Sequence, residues 1–217
     1  MNALARIIGA SFNGDPFRRV LFTESHDEVA RENAKERLIE DIWQGNSWSW
    51  PSQKRSTLAA AIVFTAPGVP MIFQGQEFLA SAPFAAQDPL RWSQAHYGIE
   101  RLYGDLAHLR RSDAARGLRG RNVNIFHVNN DAKVIAYHRW ANGGAGDDVV
   151  VVANFSTAAF PIYNLWFPRD GVWHVRLNTD WRGYSDVFGD FPSNDVIVSN
   201  SRGDVSIGAY TAIVLSQ

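Results

Sequence analysis

Val20-Leu21-Phe22-Thr23-Glu24-Ser25-His26-Asp27-Glu28 joins a short apolar run to the densest polar cluster in the chain. An apolar run that stops abruptly in acids, hydroxyls and a histidine reads as the carboxyl end of a strand in a parallel α/β layer. There the strand fixes the functional groups while the loop remains free to vary. A contiguous Ser25-His26-Asp27 cannot form a hydrolase triad, because the imidazole must sit between nucleophile and carboxylate, and the chain has no G-x-S-x-G elbow. Glu24, His26, Asp27 and Glu28 carry metal-ligating atoms, but groups so close in sequence rarely converge on one ion without a distant ligand, so no metal site is assigned. Ser25 or Asp27 is also a suitable cap for a helix opening near Arg31, a role compatible with function.

Working outward, Arg31 to Trp43 has helical spacing, with Leu38, Ile39, Ile42 and Trp43 on one face. Ser56 to Gln76 contains 21 residues without a charge, yet Pro67, Gly68 and Pro70 divide it. The segment therefore reads as a buried helix over Thr57 to Thr65 and a short strand at Met71-Ile72-Phe73, not as a membrane span. Ile99, Leu102, Tyr103, Leu106 and Leu109 form an apolar helical stripe closed by Arg110 and Arg111, which suit the helix dipole.

After about Gly117 the pattern becomes β-rich. Strands are expected at Asn124 to Val128, Lys133 to Trp140, Asp148 to Phe155, Val172 to Asn178, Asp195 to Ser199 and Tyr210 to Leu215. Turn signals at Asn129-Asn130-Asp131 and Asn142 to Gly146 separate the earlier ones, and Asn13-Gly14-Asp15-Pro16 reads as a turn before the first strand. Gly143 to Gly146 lacks the following helix of a nucleotide fingerprint. The expected fold is α/β plus all-β, in two parts, residues 1–115 and 116–217, the second an antiparallel β-sandwich. A closed (β/α)₈ barrel takes roughly 250 residues, so the first part holds only two or three βα units. Its open sheet edges and uncovered apolar helix face point to a missing N-terminal partner or to a longer parent chain with a missing N-terminal barrel segment.

Among 217 residues, 21 Lys and Arg against 22 Asp and Glu leave a net charge of −1, which disfavours nucleic acid or an anionic membrane as partner. No cysteine is present, which removes disulfides and thiolate zinc sites and fits a reducing, cytoplasmic location; the start lacks a secretory pattern. His96, His108, His127, His138 and His174 are scattered without ligand spacing, and no cofactor is expected. Eight Trp invite a sugar-stacking role, with Trp181 in the Thr179 to Phe191 loop the best placed, although core packing explains most of them.

Phe22-Thr23-Glu24-Ser25-His26-Asp27 resembles the fourth conserved region of the α-amylase family of glycoside hydrolases, which closes strand seven of a (β/α)₈ barrel. Pro67 to Phe78 resembles that family's eighth strand and following loop. Ser25 before His26, Ser56 to Ala61 and Asp88-Pro89-Leu90-Arg91-Trp92 are most similar to the family's bacterial 1,4-α-glucan branching enzymes. Ile207 to Leu215 is similar to the last strands of their β-sandwich.

The resemblance implies that residues 1–115 are the last two βα units of a TIM barrel. It implies that Asp27 stabilises the distorted, oxocarbenium-like sugar, that His26 positions the same sugar, and that Glu24, Gln76 and Glu77 line the substrate site. Partners would be α-glucans such as glycogen and amylose. A retaining mechanism needs two further carboxyl groups, about 5–5.5 Å apart; the motifs that supply them in the family are absent here. Glu24 and Glu28 would approach the sugar from the same side as Asp27 and are poor substitutes. The expected activity is therefore that of a branching-enzyme fragment, inactive by itself. A non-catalytic glucan-binding module, a piece of an α-amylase-type hydrolase, or an inert gene fragment are the alternatives.

Overall fold

The computed structural model describes residues 1–33 and 35–217, without the side chain of Asn33. Helix α1 (Asn2–Gly9) leads through the expected Asn13-Gly14 turn, where both residues have positive φ, into strand β1 (Val20–Leu21). Helices α2 (His26–Val29), α3 (Leu38–Ile42) and α4 (Trp50–Thr65) follow, then strand β2 (Val69–Pro70) and helix α5 (Tyr97–Arg111). The rest is β: β3 (Asn122–Asn129), β4 (Val134–Trp140), β5 (Val149–Asn154), β6 (Phe160–Trp166), β7 (Gly171–Asn178), β8 (Val196–Val198), β9 (Arg202–Ile207) and β10 (Thr211–Ser216). Among the described residues no helix is long and apolar enough to cross a membrane.

The β part contains an antiparallel six-stranded sheet in the order β3-β4-β5-β10-β7-β8 and a separate antiparallel pair, β6-β9. Strand β5, Val149-Val150-Val151-Val152-Ala153-Asn154, explains how these layers meet. Alternate side chains point to opposite faces of a strand. Val149, Val151 and Ala153 enter a core shared with Leu58, Ile62, Leu102 and Leu106 of α4 and α5, whereas Val150 and Val152 pack with Leu165, Phe167, Val205 and Ile207 around the small sheet. A strand covered on both faces needs no polar alternation, hence its unbroken apolar run.

Strands β6 and β9 were not expected from the sequence. Pro161, Asn164, Gly203 and Asp204 interrupt the pattern, and the outer face of the pair is in water, with Ile162 74% exposed. The helix expected over Arg31 to Trp43 is also not formed as read. Its helical core is Leu38–Ile42, Arg37 is extended with its side chain buried, and Trp43 lies outside the helix with its ring exposed. The segment opens instead with a single 3₁₀ turn, Arg31–Asn33, directly after Ala30 bridges Phe84 and with Arg31 N bonded to Phe84 O at 2.9 Å. The second short strand lies at Val69–Pro70, not Met71–Phe73, in parallel register with β1 (Val20 with Val69, Leu21 with Pro70). Helix α4 begins seven residues before Thr57, at Trp50, because Ser49 caps Ser52 N at 3.3 Å and Pro51 is tolerated in a first turn.

The end of α4 is bound by arginines. Arg110 donates to Phe64 O (2.5 Å), Ala66 O (3.2 Å) and Gly68 O (2.6 Å), while Arg19 donates to Pro67 O at 2.8 Å. Arg139, fully buried on β4, donates to Thr65 O and also to Leu118 O (3.0 Å), Gly120 O (2.6 Å) and Asn122 O (3.1 Å). Helix carbonyls without intrahelical partners, at the negative end of the dipole, are thus matched to cations. Burial and the nearby Arg110 push the Arg139 pKa down to about 9, which still leaves it charged at neutral pH.

Toward its other end, Lys54 of α4 reaches Asp180 at 2.6 Å and Thr211 Oγ1 at 3.0 Å, and lies over the Phe188 ring. Asp180 also accepts from Gly189 N (3.1 Å) and Phe191 N (2.9 Å), so one carboxylate organises the Thr179 to Phe191 loop against α4.

Arg139→Met removes the donors from four carbonyls at once and should cost roughly 3–5 kcal/mol in urea unfolding. Arg139→Lys should not restore it, because an ammonium cannot span those carbonyls. Just before β8, the exposed Asp195 accepts from Val175 N (2.8 Å) and His174 Nδ1 (2.7 Å) in the middle of β7, and these bonds hold its carboxyl below the usual range. A depressed carboxylate contributes stability above its unfolded pKa that disappears as pH falls through the folded value. Asp195→Asn should therefore destabilise modestly at pH 7, with the difference vanishing well below about pH 4, as read from urea midpoints.

Candidate functional site

Strands β1 and β2 run parallel, so their following loops emerge at the same end. The Gln76 side chain bonds both across to the first loop and within its own. Gln76 Nε2 donates to Thr23 Oγ1, and Gln76 Oε1 accepts from Phe73 N at 3.1 Å. Gln76 is consequently buried between the loops, whereas Glu77 is half-buried, its Oε2 without a hydrogen-bond partner among the described residues.

Glu24 turns inward. Its Oε2 lies 3.0 Å from Arg37 Nη2 and its Oε1 accepts from Leu38 N at 2.7 Å, with both ion-pair partners about 2% exposed. One carboxylate thus neutralises a buried guanidinium and caps the first turn of α3. Burial raises the Glu24 pKa, against the opposing pull of Arg37 and the Leu38 N–H; burial also lowers that of Arg37. The buried Tyr103 phenol lies in the same electrostatic group, its pKa raised by burial and by Glu24.

On this anchored base stand His26 and Asp27. Ser25 accepts from Glu28 N at 3.3 Å and caps α2, so both residues fall in its first turn. His26 Nε2 is 3.2 Å from Asp27 Oδ1, and the side chains are 69% and 80% exposed. Glu28 is engaged by Lys35 at 3.0 Å. A carboxylate beside an imidazole, both exposed, offers hydrogen-bond acceptors and a donor to a hydroxylated ligand.

Of the residues singled out from sequence, His26 and Asp27 share the surface, Glu24 and Gln76 form the interior beneath them, and Glu77 lies at the boundary. Arg37 was missed. Its only sequence signal is a cation at the start of an apolar stripe, which usually marks an exposed face. Trp181 is occupied: Arg101 lies over its ring at 4.5 Å and Tyr184 packs edge-on at 5.0 Å. Among the described residues no group of three or more His, Cys, Asp or Glu converges for a metal.

Residues 125–217 match the family described as alpha amylase, C-terminal all-beta domain. The 1,4-alpha-glucan branching enzyme GlgB of Pseudomonas syringae pv. tomato is 32% identical over 177 residues, covering 77% of this chain and 23% of that enzyme. The chain belongs to the α-amylase family. GlgB of Thermosynechococcus vestitus is 31% identical over 170 residues, 74% of this chain and 21% of the relative. The chain therefore spans under a quarter of the length of these family members. A family-like fold extends beyond the β domain: a pullulanase of Anoxybacillus sp. LM18-11, solved with maltotriose, superposes on 100% of this chain and 30% of its own, with TM-score 0.68 and 22% identity. The gamma-CGTase of Alkalophilic bacillus clarkii covers 94% of this chain and 27% of its own, at TM-score 0.65 and 17% identity.

Glu24→Ala should strand the Arg37 charge and uncap α3, costing roughly 3–5 kcal/mol. Asp27→Asn, on the exposed turn above, should shift stability by less than about 0.5 kcal/mol. Urea midpoints of the two variants check the division between base and surface pair.

Proposed function

We propose that this chain works as the carboxyl-terminal part of a retaining α-glucan-active enzyme, most closely a 1,4-α-glucan branching enzyme. In this reading residues 1–115 supply the last two βα units of a (β/α)₈ barrel and residues 116–217 the β domain that braces them. The observation that carries it is the uncovered face of the parallel pair. Leu21 packs toward the helices, and its neighbours alternate away. Register partners Val20 and Val69, with Phe22, stay 50%, 45% and 44% exposed on the side without helices. That apolar row fits a barrel interior, where side chains from neighbouring strands fill the core. The His26–Asp27 pair lies at the strand end, where barrels of this kind gather their chemistry.

The reaction then divides between polypeptides. A carboxylate nucleophile and an acid/base, flanking the scissile α-1,4 bond, come from barrel strands outside this chain. Asp27 accepts hydrogen bonds from hydroxyls of the sugar being cleaved, bonds that strengthen as the ring flattens and gains positive charge. His26 donates to the same ring and orients Asp27. Glu24 and Arg37 hold the loop in place from below. Passing the glycosyl group to a 6-hydroxyl gives a branch; passing it to water gives hydrolysis.

The test is complementation. The chain is mixed or co-expressed with a polypeptide carrying the upstream part of the Pseudomonas syringae relative, ended where the match begins. Amylose should acquire α-1,6 linkages only when both pieces are present, and Asp27→Asn in this chain should lower that rate by at least about a hundredfold. Branching by the isolated chain, or full activity with Asp27→Asn, would overturn the reading. Reducing ends without new branches would redirect it to a hydrolase.

A further inference from the structure

Buried polar atoms without partners collect in one place. Of the six buried side-chain atoms that have no hydrogen-bond partner among the described residues, four are Glu24 Oε2, Arg37 Nε, Glu77 Oε2 and Tyr103 Oη. Each such group left unmet is destabilising, so four together call for a common partner.

The four side chains come from separate parts of the α/β layer. Glu24 follows β1, Arg37 precedes α3, Glu77 lies in the loop after β2 and Tyr103 belongs to α5. Each acts electrostatically on the other three. Glu24 Oε2 lies 3.0 Å from Arg37 Nη2, but as an ion pair out of hydrogen-bond alignment, and Nη2 also serves Gln74 O at 3.1 Å. Gln76, another polar neighbour of the phenol, is engaged by Thr23 and Phe73 N. No donor of the four meets an acceptor of the four in bonding geometry, which is the arrangement a bridging water completes.

Their chemistry selects the guest. The Arg37 Nε–H and the Tyr103 hydroxyl are donors, and the two carboxylate oxygens are acceptors. A molecule that accepts two hydrogen bonds and donates two matches this set, and water is the smallest that does. A cation would be drawn by two carboxylates against one guanidinium, yet it would face the N–H and O–H donors. An anion would face both carboxylates. The Tyr103 ring itself packs edge-on to Phe64 in the apolar core, so only its hydroxyl enters the cluster.

We infer that one internal water molecule joins Glu24, Arg37, Glu77 and Tyr103, and that through it Tyr103 positions the loop carrying His26 and Asp27. The path is short. Glu24 and His26 are separated by Ser25 alone, and the other Glu24 oxygen holds Leu38 N at 2.7 Å. Two strand-end loops, the start of α3 and α5 thus share one bonding centre. Neither the water nor the positioning depends on the proposed glucan function.

The whole 217-residue chain is unfolded in urea beside Tyr103→Phe, which keeps the ring and removes only the hydroxyl. Losing a hydroxyl bonded to water should raise the unfolding equilibrium constant about two- to tenfold. An unchanged or lowered constant, the result for a hydroxyl that bonds nothing, overturns the site. Nuclear Overhauser transfer from water to the Arg37 Nε–H, which is shielded from bulk solvent, is expected in the unaltered chain. Its absence also overturns the site, and this measurement decides alone if Tyr103→Phe does not fold. Urea midpoints in sodium, potassium and choline chloride at equal ionic strength should coincide; stabilisation by one metal ion overturns the water and assigns the cluster to a cation. Positioning is read from the amide resonances of His26 and Asp27. They should move in Tyr103→Phe and stay in Tyr184→Phe, whose phenol bonds Asp105 at 2.7 Å. The same response in both variants overturns the positioning role.

Discussion

Helix α4 is held by buried cations, and the rest of the molecule is arranged around that fact. Lys54, near its first turns, is fully buried against Asp180, and the buried Arg110 and Arg139, joined by the half-buried Arg19, take the carbonyls of its last turn and the bend after it. Taking such charges out of water costs several kcal/mol each, and only good geometry with further hydrogen bonds offsets it. Lys54 meets that condition through a carboxylate, a hydroxyl and an aromatic face. The arginines meet it with carbonyls alone, which supply no full negative charge. Their stabilisation must come from several short, directed bonds and from the helix dipole acting together.

This arrangement makes the helical and β parts interdependent. Arg139 belongs to β4 yet satisfies Thr65 at the end of α4; Asp180 follows β7 yet anchors Lys54. The shared apolar core runs from Leu58 and Leu102 on the helices to Val151 and Val214 on the sheet. Movement of α4 would drag β2 with it, since only Ala66 to Gly68 intervene, and β2 sets the register of β1 and the turn that carries His26 and Asp27. The β domain is therefore linked to the His26–Asp27 turn through α4 and β2.

What could be read in the sequence follows from how many environments a residue type can occupy. The stripe from Ile99 to Leu109 and the run Val149 to Ala153 were legible because apolar periodicity admits one burial pattern, and both are buried as read. The place of the His26–Asp27 turn, just after a short strand, was legible because an apolar run that stops abruptly in polar residues marks a strand end, and Ser25 caps the helix that follows. Strands β6 and β9 were not, because an outer pair buries only alternate residues and tolerates Pro161 and Gly203. The first turns of α4 were hidden because Ser52, Gln53 and Lys54 read as surface and are in fact buried with dedicated partners. Glu24 shows the same ambiguity inside the candidate site. Its type and place suggested contact with a ligand, and only the position of Arg37 reveals that it faces inward.

The exposure of Asp27 also limits what it can do here. Two unit charges 4 Å apart interact by about 1 kcal/mol in water and about 4 kcal/mol at the effective dielectric near a protein surface. In the proposed role, Asp27 must stabilise a positive charge that exists only at the transition state. At 80% exposure most of that benefit is lost to solvent. The apolar row of Val20, Phe22 and Val69 beneath the turn is itself half in water, so both deficits are removed by the same event, burial of this face by further strands. The geometry of His26 and Asp27 is set within the chain, by the Ser25 cap and the Glu24–Arg37 base. The dielectric that would make the geometry effective is not, and in the proposed enzyme it comes from the rest of the barrel.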